Sequence, residues 1–306
     1  MSYLLVFIVS ILGTIMMKRL AIQDHPNERS SHTTMTPTGG GSAIVFAFYF
    51  GLVFLYLGEM ILPELFYALL CGLVLAIVSF VDDIVELSVK FRLGVQLGSV
   101  LGAFSFLHLW DSTTWYMAFF FVISSLWLIN LYNFLDGIDG YAGSEGIFVA
   151  LGAYLFYHDS VLIMMVMAIG GFLLFNWQKA SIFMGDVGST FLGFFFSVMM
   201  VYHYHDSSDI VVWWILLGVF IFDASVTLLR RIRNRENFSI AHKKHAFQRL
   251  VQSGFSHQKV VLLGMGVNLF FLGFLLFFGA SFYLFIVYNI SLYILLKIVD
   301  KRSTTT

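Results

Sequence analysis

Residues 115–140 read "WYMAFFFVISSLWLINLYNFLDGIDG". The stretch opens with fifteen mostly apolar residues, after which Asn130, Asn133, Asp136 and Asp139 follow at strict intervals of three. An apolar run of this kind, close to the roughly 20 residues that cross a bilayer, points to a membrane span. Its end carries two amides and two carboxylates, which a span has no reason to hold unless something binds there.

Working outward, similar runs occur at residues 2–20, 42–61, 64–81, 93–109, 115–132, 142–157, 160–177, 188–203, 210–229, 260–279 and 281–299. The run at 142–157 is the weakest, since its plainly apolar part is only "IFVALGAYLFY". Of 306 residues, 59% are hydrophobic and 11% charged, against roughly 45–50% and 25% in soluble domains. The expected fold class is an all-α polytopic membrane protein with about 11 transmembrane helices, residues 1–306 forming a single integral membrane domain. The only cysteine, Cys71, sits inside an apolar run. This excludes a disulfide framework or a multi-thiolate metal site within one chain. The opening segment "MSYLLVFIVSILGTIMMKRL" has its basic pair after its apolar run, which fits a first span better than a signal peptide.

Charge placement gives the orientation. With the N-terminus periplasmic and the spans alternating, all 17 Lys and Arg fall on cytoplasmic segments, as basic residues prefer. The opposite side holds Glu59, Glu64, Asp111, Asp159, Asp206 and Asp209. The C-terminus is then cytoplasmic, as are the longer connections with most of the reactive side chains.

Those connections carry the chemistry. The first, "QDHPNERSSHTTMTPTGGG" at 23–41, contains Arg29, His32 and the triplet Gly39–Gly41. Amides in such a turn before a helix can cradle a phosphate, and a plain connector is the alternative. In "VDDIVELSVKFR" at 81–92, Asp82 and Asp83 precede Glu86, Lys90 and Arg92. Adjacent carboxylates at an interface repel unless a cation or a proton relieves them. If 130–139 is helical, the four polar residues of the opening stretch lie near one face, and such oxygen donors suit Mg2+ and the hydroxyls of a nucleotide or sugar.

In "NWQKASIFMGDVGST" at 176–190, Asp186 stands between Gly185 and Gly188, before a helix N-terminus that favours an anion. A simple N-cap role is the alternative. The last internal loop, "RRIRNRENFSIAHKKHAFQRL" at 230–250, sets His242 and His245 around Lys243 and Lys244, with Arg249 after them. That cluster suits phosphates. Asp223 is read as the one acid clearly inside a span, facing the site or pairing with Arg230 or Arg231. Carboxylates for a divalent metal and cations for phosphates on one face suit phosphoryl transfer. The rival class is a secondary transporter, but these acids sit at span ends and no repeat is visible.

"VDDIVELSVK", "NLYNFLDGIDG", "FMGDVGSTFLG" and "HKKHAFQRL", in this order, resemble the signature blocks of the polyprenyl-phosphate N-acetylhexosamine-1-phosphate transferases, whose relatives include the translocase that makes the first lipid intermediate of peptidoglycan. The resemblance implies transfer of a sugar 1-phosphate from a UDP-N-acetylhexosamine to undecaprenyl phosphate with release of UMP. It places the enzyme in the bacterial inner (cytoplasmic) membrane with Mg2+, or Mn2+ in its place, and with no nucleic-acid partner; a homodimer is compatible with it. By position, Asp82 and Asp83 match the paired aspartates, one of which takes the proton of the lipid phosphate. Asn133 and Asp186 match residues associated with the metal and the diphosphate. Lys90, Asn130, Asp136, Asp139, Asn176, His242, His245 and Arg249 become substrate-binding candidates. The "HAFQRL" ending resembles the branch that starts O-antigen or other surface polysaccharides, and the peptidoglycan-type translocase stays the alternative. Direct attack by the acceptor is the simpler course, because the nucleophile is already an anionic phosphate.

Overall fold

The computed structural model describes residues 2–20, 35–85, 87–236 and 243–303, together with the backbone of Gln23 and Asp24. Arg29, His32, Glu86 and His242 lie outside the described residues. Among the described residues thirteen helices form: α1 (Ser2–Leu20), α2 (Gly41–Leu57), α3 (Pro63–Asp82), α4 (Val89–Phe106), α5 (Leu109–Ser112), α6 (Trp115–Leu135), α7 (Tyr141–Tyr157), α8 (Ser160–Asn176), α9 (Gly185–Tyr202), α10 (Ser207–Arg233), α11 (Ala246–Gln252), α12 (His257–Phe278) and α13 (Phe282–Ser303). Apart from the short α5 and α11, each helix coincides with one of the eleven apolar runs. The two-residue strands β1 (Gln23–Asp24) and β2 (Thr36–Pro37) pair antiparallel in front of α2.

Seven of these helices are long and apolar enough to cross a membrane, and α2 and α8 are apolar but shorter. The chain is a multi-pass membrane protein. The sequence led us to expect eleven crossings; α4 and α7 fall outside both groups. The reason is their composition. α4 carries Lys90, Arg92, Gln96 and Ser99, and α7 carries Ser144, Glu145 and several glycines.

α9 is the axis of the bundle, with every residue from Val187 to Val201 buried. α6 lies along it so closely that a Cβ at Gly193 would come within 2.6 Å of the Ile129 Cα. α3 and α2 close two further sides, α1, α7 and α8 form one flank, and α10, α12 and α13 form the other. Phenylalanine does much of the filling, as where the Phe48 ring sits 5.6 Å from Phe191 and 5.2 Å from Phe195. Outward faces stay apolar, with Leu12, Leu57, Phe119, Leu174 and Phe277 exposed, as lipid contact requires.

One feature of the interior departs from the sequence expectation. Asp223 is not the only acid inside the bundle, because Glu145 of α7 is fully buried and accepts a 2.6 Å hydrogen bond from Asn268 Nδ2 of α12. The bond joins residues 123 apart in sequence, so no local pattern announces it.

Candidate active site

α3, α6 and α9 end or begin at one pole of the bundle, and the turn that follows α6 lies beside them. Asp82 closes α3 and Asp83 is its C-cap. The two carboxylates have separate surroundings. Asp82 accepts the Leu87 amide at 2.7 Å and the Arg92 guanidinium, also at 2.7 Å. Asp83 turns toward the start of α9, and its Oδ2 is buried with no hydrogen-bond partner among the described residues. Burial, and next the Asp186 carboxylate, push the Asp83 carboxyl up to about 7. The Asp186 and Val187 amides oppose this, and Asp82 adds to it.

The expectation that Asn130, Asn133, Asp136 and Asp139 share one helical face needs correcting. α6 stops at Leu135, and Asp136 caps it with ψ of 57°, so the two aspartates lie in a turn while the two asparagines lie on the helix. Asn133 Nδ2 donates to Ser189 Oγ at 3.2 Å and its side chain bonds Asp186. Asn130 Nδ2 donates to Gln96 Oε1 at 2.8 Å and to the Leu126 carbonyl at 2.7 Å, which ties it to α4. Burial is again the main influence on Asp136, followed by Asp186, Asp139 and Asp83; its carboxyl is pushed up to about 7. Asp139 accepts the Ala180 amide at 3.2 Å and lies 3.3 Å from His257 Nδ1.

Asp186 occupies the first turn of α9, about a third exposed, with Arg92 Nη1 3.7 Å from its Oδ2. Gly185 just before it has φ of +74°, and a Cβ there would come within 3.2 Å of Asp83 Oδ2, so glycine is what lets the two acids approach. Loop and helix are clamped from below. The Gly40 and Gly41 amides donate to the Phe183 and Met184 carbonyls at 2.9 and 2.8 Å, and a Cβ on Gly41 would collide with Gly188. The Gly39–Gly41 triplet therefore seats the Asp186 loop, and two of its amides are spent there, not on a phosphate. Asn176 is likewise buried with its amide engaged: Oδ1 accepts the Gly140 amide and Nδ2 donates to the Ile182 carbonyl, both at 3.0 Å. Its contacts join the turn after α6 to the loop before α9. A substrate-binding role drawn from its position becomes a positioning role.

Among the described residues, no three His, Cys, Asp or Glu side chains form a ready-made metal cage. Mg2+ does not need one, since it is commonly held by one or two carboxylates completed by waters and substrate phosphates. Crowded Asp83, Asp136 and Asp186 with an unpartnered oxygen are a donor set of that kind.

Four sequence matches bear on this geometry. The profile of "Glycosyl transferase family 4" matches residues 65–204, the region from α3 through α9. A Bacillus subtilis protein named "Probable undecaprenyl-phosphate N-acetylglucosaminyl 1-phosphate transferase" is 31% identical over 84% of this chain and 79% of its own. The Escherichia coli K12 "Undecaprenyl-phosphate alpha-N-acetylglucosaminyl 1-phosphate transferase" is 27% identical over 82% and 75%. The chain belongs to the polyprenyl-phosphate N-acetylhexosamine-1-phosphate transferase family. A Mycobacterium leprae "Decaprenyl-phosphate N-acetylglucosaminephosphotransferase" is similar as well, 26% identical over 81% of this chain and 75% of its own.

Within this transferase fold the histidine segment sits beside the carboxylate turn. A Cβ on Gly137 would touch the Phe247 ring at 3.1 Å, and the Tyr141 and Phe247 rings are 5.1 Å apart. His245 is buried at the N-cap of α11, its Nδ1 3.8 Å from Asp223 Oδ1. Asp223, expected to face the site or to pair with Arg230 or Arg231, lies against the His245 segment of the site. It accepts the Ala246 amide with both oxygens, at 2.8 and 2.9 Å, and so anchors α11. Arg230 pairs with Asp300 and Arg231 with Glu236. Arg249 also pairs with Asp300, while its Nε and Nη2 are buried without a partner among the described residues. Lys90 is exposed on the first turn of α4.

Arg92 is the site residue that sequence reasoning passed over. The signal was there: a cation in the first turn of a helix opposes the helix dipole and calls for a nearby anion, and here two are supplied.

Proposed function

We propose that this chain moves N-acetylhexosamine 1-phosphate, with N-acetylglucosamine as the first candidate, from its UDP-sugar to undecaprenyl phosphate, releasing UMP. The carboxylate cluster made by Asp83, Asp136 and Asp186 carries the reading, and the names of the relatives supply the donor and acceptor classes. An oxygen of the lipid phosphate attacks the β-phosphorus of the UDP-sugar. The new P–O–P bond forms as the bond from that phosphorus to the bridging oxygen breaks, and UMP leaves with the electron pair.

Asp83 is the group that accepts the lipid phosphate's proton, since Asp82 is neutralised by Arg92. Asp186, oriented by Asn133, is the carboxylate that would hold Mg2+, which when bound neutralises diphosphate charge. Arg92 bridges the two carboxylate positions and fixes their spacing. Asp139, Asn130 and the His245–Arg249 segment form the walls for nucleotide, sugar and phosphates. We further propose eleven crossings of the bacterial inner membrane, a periplasmic N-terminus, a cytoplasmic site, and a role in the first membrane step of O-antigen or another surface polysaccharide.

The experiment measures UMP release by the purified chain from a panel of UDP-N-acetylhexosamines with undecaprenyl phosphate, with and without Mg2+, beside Asp186→Asn. Release that requires lipid, metal and Asp186 establishes the reaction and names the sugar. A folded chain that releases no UMP from any donor overturns it.

A further inference from the structure

The turn between α6 and α7 has no helical ladder to set its shape, since α6 ends at Leu135 and α7 begins at Tyr141. Its conformation is therefore held from outside. The loop before α9 supplies one tie, where the Ala180 amide donates to Asp139 Oδ2 at 3.2 Å. Asn176, the last residue of α8, supplies another by accepting the Gly140 amide at 3.0 Å. A further tie comes from His257, the first residue of α12: its Nδ1 lies 3.3 Å from the Asp139 amide nitrogen and 3.3 Å from Asp139 Oδ2. A neutral ring accepts the amide there, and a protonated ring donates to the carboxylate. In either state the same nitrogen binds Asp139, and both side chains are mostly buried, so water competes poorly for the contact.

We propose that His257 is a positioning residue of the transferase site, holding from α12 the wall that Asp139 forms for the UDP-sugar. It belongs to none of the four sequence motifs, and its bond to Asp139 joins positions 118 apart. The imidazole is not required to start its own helix. Ser256 does that by accepting the Lys259 amide at 3.2 Å. The next residue, Gln258, donates its amide to Gln178 Oε1 at 3.2 Å, so the first turn of α12 docks on both the carboxylate turn and the loop that leads to Asp186. Asp83 and Asp186 themselves are placed by α3, α9 and the glycine clamp under Phe183 and Met184. Loss of the ring therefore acts on donor binding, while the reacting carboxylates stay where they are.

The test compares His257→Ala, His257→Asn and His257→Gln in the purified full-length chain, by amide hydrogen exchange and by UMP release. An Asn amide stands close to where Nδ1 stands and can accept the Asp139 amide or donate to its carboxylate. A Gln amide stands one methylene further out, near Nε2. Exchange over residues 136–141 is expected to quicken about fivefold or more in His257→Ala and His257→Gln, with the rest of the chain unchanged, and to stay near wild type in His257→Asn. The KM for the UDP-sugar is expected to rise about tenfold in the Ala and Gln variants, the worth of about one hydrogen bond, with kcat within about threefold and with Asn restoring KM. Unchanged exchange over 136–141 in His257→Ala overturns the inference, as does a His257→Asn variant no better than His257→Gln. A fall in kcat at unchanged KM also overturns it. Should His257→Ala lose the fold as a whole, the Asn and Gln pair carries the same comparison. The kinetic arm rests on the proposed reaction and the exchange arm does not, so a wild-type chain that releases no UMP overturns that reaction while exchange still decides the role of His257.

Discussion

The two poles of the helix bundle are built from the same residue type and use it in opposite ways. At the pole formed by the ends of α7 and α9 and the starts of α8 and α10, Asp159, Asp206 and Asp209 each face donors. Asp159 accepts the Val161 amide at 2.8 Å and lies 3.2 Å from His203 Nε2. Asp209 accepts the His205 amide at 2.8 Å and the Tyr157 hydroxyl at 3.0 Å. Asp206 caps α10, and its bonds to Ser208 hold its carboxyl below the ordinary range. At the other pole the carboxylates face one another, and Asp83 and Asp136 are pushed up to about 7. Acids that are satisfied locally end helices. Buried acids crowded against one another are poised for a cation and for proton transfer.

The comparison breaks most visibly in the paired variants Asp83→Asn and Asp159→Asn. The first is expected to lower kcat for UMP release by about 10²–10⁴-fold, the range for a lost general base, and the second to leave kcat within about twofold. Equal losses in the two would remove the distinction between the poles. The pH profile sharpens it next. With the Asp83 carboxyl near 7 and its ionised form required, UMP release is expected to rise about tenfold per pH unit below 7 and to level off above it.

Stability of the metal-free protein should move the other way. A carboxyl whose pKa is raised from 3.8 to about 7 on folding contributes stability that is present below 3.8 and lost as pH rises through 7. Melting of chelator-treated protein should therefore shift downward across that window, and added Mg2+ should reverse the shift. Smaller effects follow away from the cluster. Asp223→Ala leaves the Ala246 amide without its acceptor, at about 1–3 kcal/mol, measurable as a lower denaturation midpoint with weakened nucleotide-sugar binding through α11. Asp159→Ala removes a helix cap for about 1 kcal/mol, with activity unchanged.

Much of the fold could be read along the chain. Each of the eleven apolar runs became a helix within a few residues of its expected ends, because the preference of a segment for lipid or core is summed over its own side chains. The pole that would hold the chemistry was legible for the same reason, since basic residues and the Asp82, Asp136 and Asp186 motifs all fall in alternate connections. Reading was poorer wherever spacing stood in for geometry. The interval of three from Asn130 to Asp139 suggested one helical face, but the helix ends at Leu135. Beyond it Gly140 takes φ of +73°, and Gly137 lies against the Phe247 ring of α11.

The sequence by itself determined a helical membrane chain, its one-sided distribution of basic charge, and four ordered motifs that mark a sugar-phosphate transferase family. Tertiary structure alone decided how each polar group is met. It placed Arg92 against Asp82 and left Asp83 Oδ2 with no hydrogen-bond partner among the described residues. It set the glycine triplet under the Asp186 loop, made Asn176 a brace between two turns, and joined Glu145 to Asn268. Hydropathy and helix formation are properties of neighbours in sequence. Whether a buried carboxylate meets a donor, another carboxylate or a gap depends on residues far apart in sequence, 123 positions for Glu145 and Asn268, that become neighbours only when the helices pack.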